Sequence, residues 1–185
     1  MHQPLMHEPT CEELASRVVQ RDRTAYALLV QRHLGRVVTI AQRIVLRRAE
    51  AEDVAQDVFI KLWQQPQAYL PHKAKFTTWL YRVTVNRALD TVRKVRTTAL
   101  DPGFDMPDGL PSAQEKMESQ QRQQALARAM QDLPPRQRAA LVLSYQDELS
   151  DVQAAESLGI SVKAYESLLV RGRKALREAL IHDGL

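Results

Sequence analysis

The chain has 185 residues, room for one ordinary domain or two small ones, and a formal net charge of +4, which permits a polyanionic partner. Its single cysteine, Cys11, excludes an internal disulfide, and no basic-then-apolar leader or bilayer-length apolar run is found, so the expectation is a soluble cytoplasmic protein without membrane insertion. Charge is unevenly spread: basic residues gather at 82–96 and 171–177, acidic ones at 50–57 and 101–118.

Residues 1–9 have no periodicity. Thr10-Cys-Glu-Glu13 has capping-box spacing and opens a short helix with Leu14, Ala15, Val18 and Val19 as its apolar stripe. Asp22 caps a second helix, on which Tyr26, Leu29, His33, Val37, Ile40 and Ile44 recur at three- and four-residue steps. That pattern predicts a long helix ending near Arg47-Arg48, with His33 packed in its apolar line. Asp53 to Trp63 then separates into two faces at about 100° per residue. Val54, Ala55, Val58, Phe59, Leu62 and Trp63 face a core; Asp53, Gln56, Asp57, Lys61 and Gln64 face outward. Such an acidic face is either simply solvated or a docking surface.

A Pro-bounded polar loop over residues 64–75 leads into a helix from about Phe76 to Arg96, apolar around most of its circumference and therefore central. Arg82, Asn86 and Arg93 fall on its free strip. Residues 97–111 lack any period and contain Asp101-Pro-Gly and Asp105-Met-Pro-Asp-Gly, the composition of a linker. Ser112 to Glu115 is a further capping box, opening a Gln-rich helix to Asp132; Pro134-Pro135 begins the next, where proline is tolerated in the first turn. No strand pattern appears. The expected fold is all-α, two helical lobes on a tether.

Asp151 to Val170 has helix-turn-helix spacing. Ser150 caps a short helix, Ala155 supplies the small residue at a steep crossing, Gly159 the left-handed turn, and Ser161 caps a final helix to about Ile181. Tyr165, Leu168, Leu169, Gly172 and Leu176 form its inner face. Ser161, at the helix start, and Lys163, Glu166, Ser167, Val170, Lys174 and Arg177 point outward, flanked by Arg171 and Arg173. Such a helix suits the major groove with its basic end on phosphates, or else is a helical hairpin with a charged exterior.

Together these segments resemble the bacterial sigma factors, specifically the two-domain extracytoplasmic-function (ECF) type. The resemblance rests on Ala51-Glu-Asp-Val-Ala-Gln-Asp-Val-Phe59, on Phe76-Thr-Thr-Trp-Leu-Tyr-Arg82 with Asn86 and Leu89-Asp90, and on Leu133-Pro-Pro-Arg-Gln-Arg138. It is completed by Leu158-Gly-Ile-Ser161 and Arg171-Gly-Arg-Lys-Ala-Leu-Arg177. It implies a region 2 helical bundle over residues 1–96, a flexible acidic linker over 97–112 and a region 4 helix-turn-helix over 113–185. Asp53, Gln56 and Asp57 match positions that dock on the clamp helices of the largest core RNA polymerase subunit. The loop 64–75 with Trp79, Arg82 and Asn86 matches the part that captures and opens the minus-ten element. Lys73, Lys75, Arg87, Arg93, Lys94 and Arg96 would hold phosphates there. The C-terminal lobe would read the minus-thirty-five element while resting on the flap of the second-largest subunit, and an anti-sigma factor would clamp the protein. No cofactor and no chemistry of its own is implied. Arg82 and Val83 stand where primary sigma factors carry paired tryptophans, which implies weaker melting, and Glu166 and Leu168 replace basic residues of many relatives.

Two other readings compete. A regulator with the same DNA-reading lobe and an N-terminal sensor leaves the Asp53/Gln56/Asp57 face unexplained. A helical nuclease using Asp53 and Asp57 as metal ligands lacks further carboxylates or histidines in a ligand pattern. His2, His7 and Cys11 form no convincing metal set, and nothing near Cys11 in the sequence favours its thiolate.

Overall fold

The computed structural model describes residues 8–98, 124–146 and 149–182, and no strand occurs among them. The expected linker and the capping box at Ser112 to Glu115 lie outside the described residues. The N-terminal bundle comprises α1 (Cys11–Val19), α2 (Arg23–Val45), α3 (Arg48–Gln64), a 3-10 turn (Pro66–Ala68) and α4 (Phe76–Thr98). The C-terminal part comprises α5 (residues 124–132), α6 (Pro135–Ser144), α7 (Asp151–Leu158) and α8 (Val162–His182).

The expected caps form. Thr10 Oγ1 accepts from the Glu13 N–H at 3.2 Å while Glu13 Oε2 accepts from the Thr10 N–H at 2.7 Å, a complete capping box. Asp22 Oδ1 accepts from the N–H groups of Thr24 (2.8 Å) and Ala25 (3.0 Å) at the start of α2. The Ala25 N–H, then the Arg17 guanidinium, hold its carboxyl below the usual carboxylate range. Such caps satisfy N–H groups that the first turn of a helix leaves without partners. The other end of α2 departs from expectation. It stops at Val45, before Arg47-Arg48, because Leu46 takes a left-handed conformation (φ +70°) and the chain turns directly into α3. With leucine and not glycine at that position, no residue type announces the turn.

α4 contacts α1, α2 and α3, as its nearly continuous apolar circumference required. Phe76, Leu80, Tyr81, Val85 and Ala88 are all buried. The two lobes do not hang apart. α6 lies against α2, and α7 against α4, so one apolar core runs from Ile44, Val45 and Ala88 into Leu133, Leu141 and Leu158. Arg138 reaches across the seam, its Nη1 donating to the Ile44 carbonyl (2.7 Å) and its Nη2 to the Gln131 (3.2 Å) and Leu133 (3.1 Å) carbonyls. The image of separate lobes on a tether omits this seam. Small helical units bury too little apolar surface alone, and packing against each other makes good the deficit.

Candidate nucleic-acid interface

α3 and α4 present adjoining surfaces of different character. On α3, Asp53 and Gln56 are exposed as expected, whereas Asp57 is only half exposed. Its Oδ2 accepts from Arg87 Nε of α4 at 2.6 Å. Asp57, expected at a protein partner, and Arg87, expected on phosphate, thus also pair with each other. Spacing within one helix cannot reveal a partner on the next. Sequence reasoning also missed Ile60, which is 41% exposed, although its place one turn beyond Gln56 was the available signal.

Between the helices lies a cleft of about 370 Å³ lined by Trp79, Arg82, Val83, Asn86 and Arg87 of α4 and by Asp57 and Lys61 of α3. Its mixed apolar and amide lining can cover the face of a flat, polar ring and hydrogen-bond its edge. The loop before α4 closes one side with Ala68. Trp79 packs against the rings of Tyr69 (5.8 Å between centroids) and Phe76 (5.9 Å), and Tyr69 meets Phe76 edge-on at 5.4 Å. Burial, then the nearby Glu12 and Cys11, push the Tyr69 phenol up to about 12. The Phe76 N–H, one of the free donors at the start of α4, donates to Glu12 Oε1 at 3.1 Å, so α1 holds the loop's exit in place.

Lys73 and Lys75 of the loop before α4, and Arg82, Asn86, Arg93 and Lys94 of α4, are exposed. Arg93 pairs with Asp90 at 3.0 Å on the surface, a link that solvent makes weak. Arg96 falls within α4, but its side chain is outside the described ones.

The helix-turn-helix forms as its spacing predicted. Ser150 and Gln153 make the capping box of α7, Gly159 ends it at φ +64°, and Ser161 Oγ accepts from the Ala164 N–H (3.2 Å) to start α8. Ala155 is buried at the crossing. α8 approaches α6 so closely that a Cβ on Gly172 would lie 3.1 Å from Leu141 Cδ1. The Tyr165 hydroxyl donates to the Ala140 carbonyl at 3.3 Å, and burial pushes that phenol up to about 12. Opposite this packed side, Ser161, Lys163, Glu166, Ser167, Val170, Arg171, Arg173, Lys174 and Arg177 are all exposed. The structure therefore brings this predicted set together on the outer surface of one helix. No described helix is long and apolar enough to cross a membrane.

Known proteins share this organisation. Residues 29–98 match the family description "Sigma-70 region 2" and residues 123–176 match "Sigma-70, region 4". The chain is 34% identical over 156 residues to the ECF RNA polymerase sigma factor SigE of Mycolicibacterium smegmatis, covering 82% of this chain but only 60% of that protein. It is 30% identical over 180 residues to the RNA polymerase sigma-H factor of Pseudomonas aeruginosa, covering 91% of this chain and 93% of that one. The solved structure of CnrH in complex with the cytosolic domain of CnrY superposes with a TM-score of 0.69 at 25% identity, over 93% of this chain and 97% of that one. The chain belongs to the ECF RNA polymerase sigma factors, which are not enzymes but initiation factors that bind core RNA polymerase and promoter DNA.

Proposed function

We propose a division of labour within that role. Residues 1–96 dock on core polymerase and open the minus-ten element, 97–112 link the lobes, and 113–185 read the minus-thirty-five element, all in the cytoplasm. Asp53 and Gln56, with the unspent part of Asp57, meet the clamp helices of the largest subunit. Lys73, Lys75, Arg82, Arg93, Lys94 and Arg96 hold phosphates, and Arg87 joins them only as far as its bond to Asp57 allows. On α8, Ser161, Lys163, Glu166, Ser167 and Val170 face bases, while Arg171, Arg173, Lys174 and Arg177 grip the backbone. Glu166 suits a cytosine amino group and repels phosphate. This lobe would also rest on the flap of the second-largest subunit.

The cleft between α3 and α4 carries the proposal. It is sized for a base, has an amide (Asn86) for the base edge and a half-buried indole (Trp79) for its face. Lys61, Arg82 and Arg87 in its lining, beside the carboxylates of Asp57 and Asp90, can meet flanking phosphates. Binding an unpaired base there stabilises the separated strands, and stacking contributes roughly 1–3 kcal/mol per base. CnrH was solved with the cytosolic domain of CnrY, and an anti-sigma segment that holds the lobes closed is proposed for this chain by that likeness.

The experiment uses two variants. Asp53→Ala with Gln56→Ala should abolish capture of core polymerase while leaving the fold intact. Asn86→Ala should retain core binding but lose permanganate-reactive thymines at the promoter start site. An Asn86→Ala holoenzyme that melts the promoter as well as the parent would overturn the cleft's assignment.

A further inference from the structure

The Cys11 thiol and the His33 imidazole meet in space although 22 residues separate them, with Sγ 3.2 Å from Nε2. The sequence offered nothing to activate this cysteine; α2 brings the missing base. Cys11 is the first residue of α1, where the helix's free N–H groups favour negative charge, and it is partly exposed. His33 is 8% exposed and fixed against the Phe76 ring at 5.5 Å between centroids. A third group points to the same place. The Tyr69 hydroxyl is buried without a hydrogen-bond partner, and it lies close enough to Cys11 and Glu12 for both to raise its pKa. A buried unsatisfied hydroxyl costs about 1–3 kcal/mol, so Tyr69 stands ready to take a partner. Other charged groups around the pair are Glu12 on α1 and Arg32 on α2, whose guanidinium donates to the Pro9 carbonyl (2.6 Å) and to Glu8 (2.8 Å).

We propose that Cys11 is a peroxide-reactive thiol, with His33 as its proton acceptor and donor. The thiol proton passes to His33 Nε2, and the thiolate attacks one oxygen of a small hydroperoxide. An S–O bond forms as the O–O bond breaks. The departing oxygen takes the proton back from His33, leaving a sulfenic acid and water or an alcohol; sulfur is oxidised by two electrons and the peroxide reduced by two. A small oxidant is required because the thiol is only partly exposed. The consequence runs through α1. Glu12, the next residue, holds the start of α4, and Tyr69 belongs to the loop that walls the cleft, so an oxygen added at Cys11 shifts both. That last step rests on the proposed use of the cleft; the thiol chemistry does not.

Full-length protein treated with hydrogen peroxide and trapped with dimedone should gain one adduct, at Cys11, absent in Cys11→Ser. His33→Gln should slow trapping at least tenfold while leaving the circular dichroism spectrum unchanged. Should His33→Gln fail to fold, the parent protein still decides. Its iodoacetamide alkylation rate should change less than threefold between pH 6 and pH 8, whereas an ordinary thiol accelerates about tenfold per unit below a pKa near 8.5. An ordinary thiol profile, or no dimedone adduct, overturns the proposal. The oxidised protein should then bind core polymerase normally, and its holoenzyme should open promoters poorly. Normal opening with the adduct present would overturn only the link to the cleft.

Discussion

Arg138 and Ile44 stand 94 positions apart, yet a buried hydrogen bond of 2.7 Å joins the guanidinium of one lobe to the last turn of α2 in the other. Carbonyls at a helix C-terminus carry partial negative charge and lack intrahelical partners, so a cation is favoured there. The contact has a geometric consequence. Minus-ten and minus-thirty-five elements are about 25 base pairs apart, ~85 Å along B-DNA. A compact chain of this length has a radius of gyration of ~16 Å. If the two lobes read the two elements as proposed, the closed form is too short to reach both, and the seam would have to part. Replacing Arg138 with Ala leaves the three carbonyls without its donors and should destabilise the closed form by about 2–4 kcal/mol. Small-angle scattering of the free protein should show a larger radius of gyration at unchanged helix content. An unchanged radius and melting temperature would show that apolar contacts alone hold the lobes.

The Asp57–Arg87 bond makes a second test. Both side chains are more than a third exposed, at 43% and 36%, so solvent screens the pair and its coupling should be only 0.2–1 kcal/mol in a double-mutant cycle. Its importance is positional, since it ties α3 to the helix that lines the cleft. Arg87→Ala should barely change stability but should free Asp57, strengthening capture of core polymerase at low salt. Weaker capture would mean that Arg87 itself touches the polymerase.

These two relationships mark what the sequence could and could not disclose. Helix periodicity, the caps at Thr10, Asp22, Ser150 and Ser161, and the turn at Gly159 are local, written in residues three or four apart, and the structure reproduces them. The outward residues of α8 were legible for the same reason. What stayed hidden was every pairing between elements: Arg138 with Ile44, Asp57 with Arg87, Cys11 with His33. The turn at Leu46 was also hidden, because a left-handed leucine leaves no compositional trace. Ile60 went unnoticed because a lone exposed apolar residue is ordinary on a protein surface.

The two glycines of the C-terminal lobe should respond differently to substitution. Gly159 has open space around a Cβ but a φ of +64°, so Gly159→Ala should cost about 1 kcal/mol of strain without moving a helix. Gly172 sits within α8 with ordinary φ, where a single methyl asks Leu141 to give by a few tenths of an ångström. Helix propensity favours alanine over glycine by about 1 kcal/mol, so Gly172→Ala should be nearly neutral. Gly172→Leu should overpack the α6–α8 contact and cost about 1–3 kcal/mol. Thermal melts of the three variants order these effects. A harmless Gly172→Leu would mean that α8 is not seated on α6 as closely as described.

Alkaline pH should expose the buried phenols. Tyr69 and Tyr165 are 4% and 0% exposed, and each is pushed up to about 12, chiefly by burial. Tyr26 is raised in the same direction for the same reason. A folded pKa above the unfolded value of about 10 means that folding favours the protonated phenol. The resulting stability is complete below pH ~10 and is lost as the unfolded chain, but not the folded one, ionises between pH 10 and 12. Each of the two tyrosines then withdraws about 1.4 kcal/mol per pH unit, before any contribution from lysines titrating in the same range. Phenolate absorbance at 295 nm separates the two sources, because lysine is silent there. Of the five tyrosines, Tyr69 and Tyr165 at least should resist ionisation until the protein unfolds, and that late step should coincide with loss of helical signal. A single smooth titration centred near pH 10, with helix retained, would mean that solvent reaches both phenols and that neither lobe is packed as tightly as its core residues indicate.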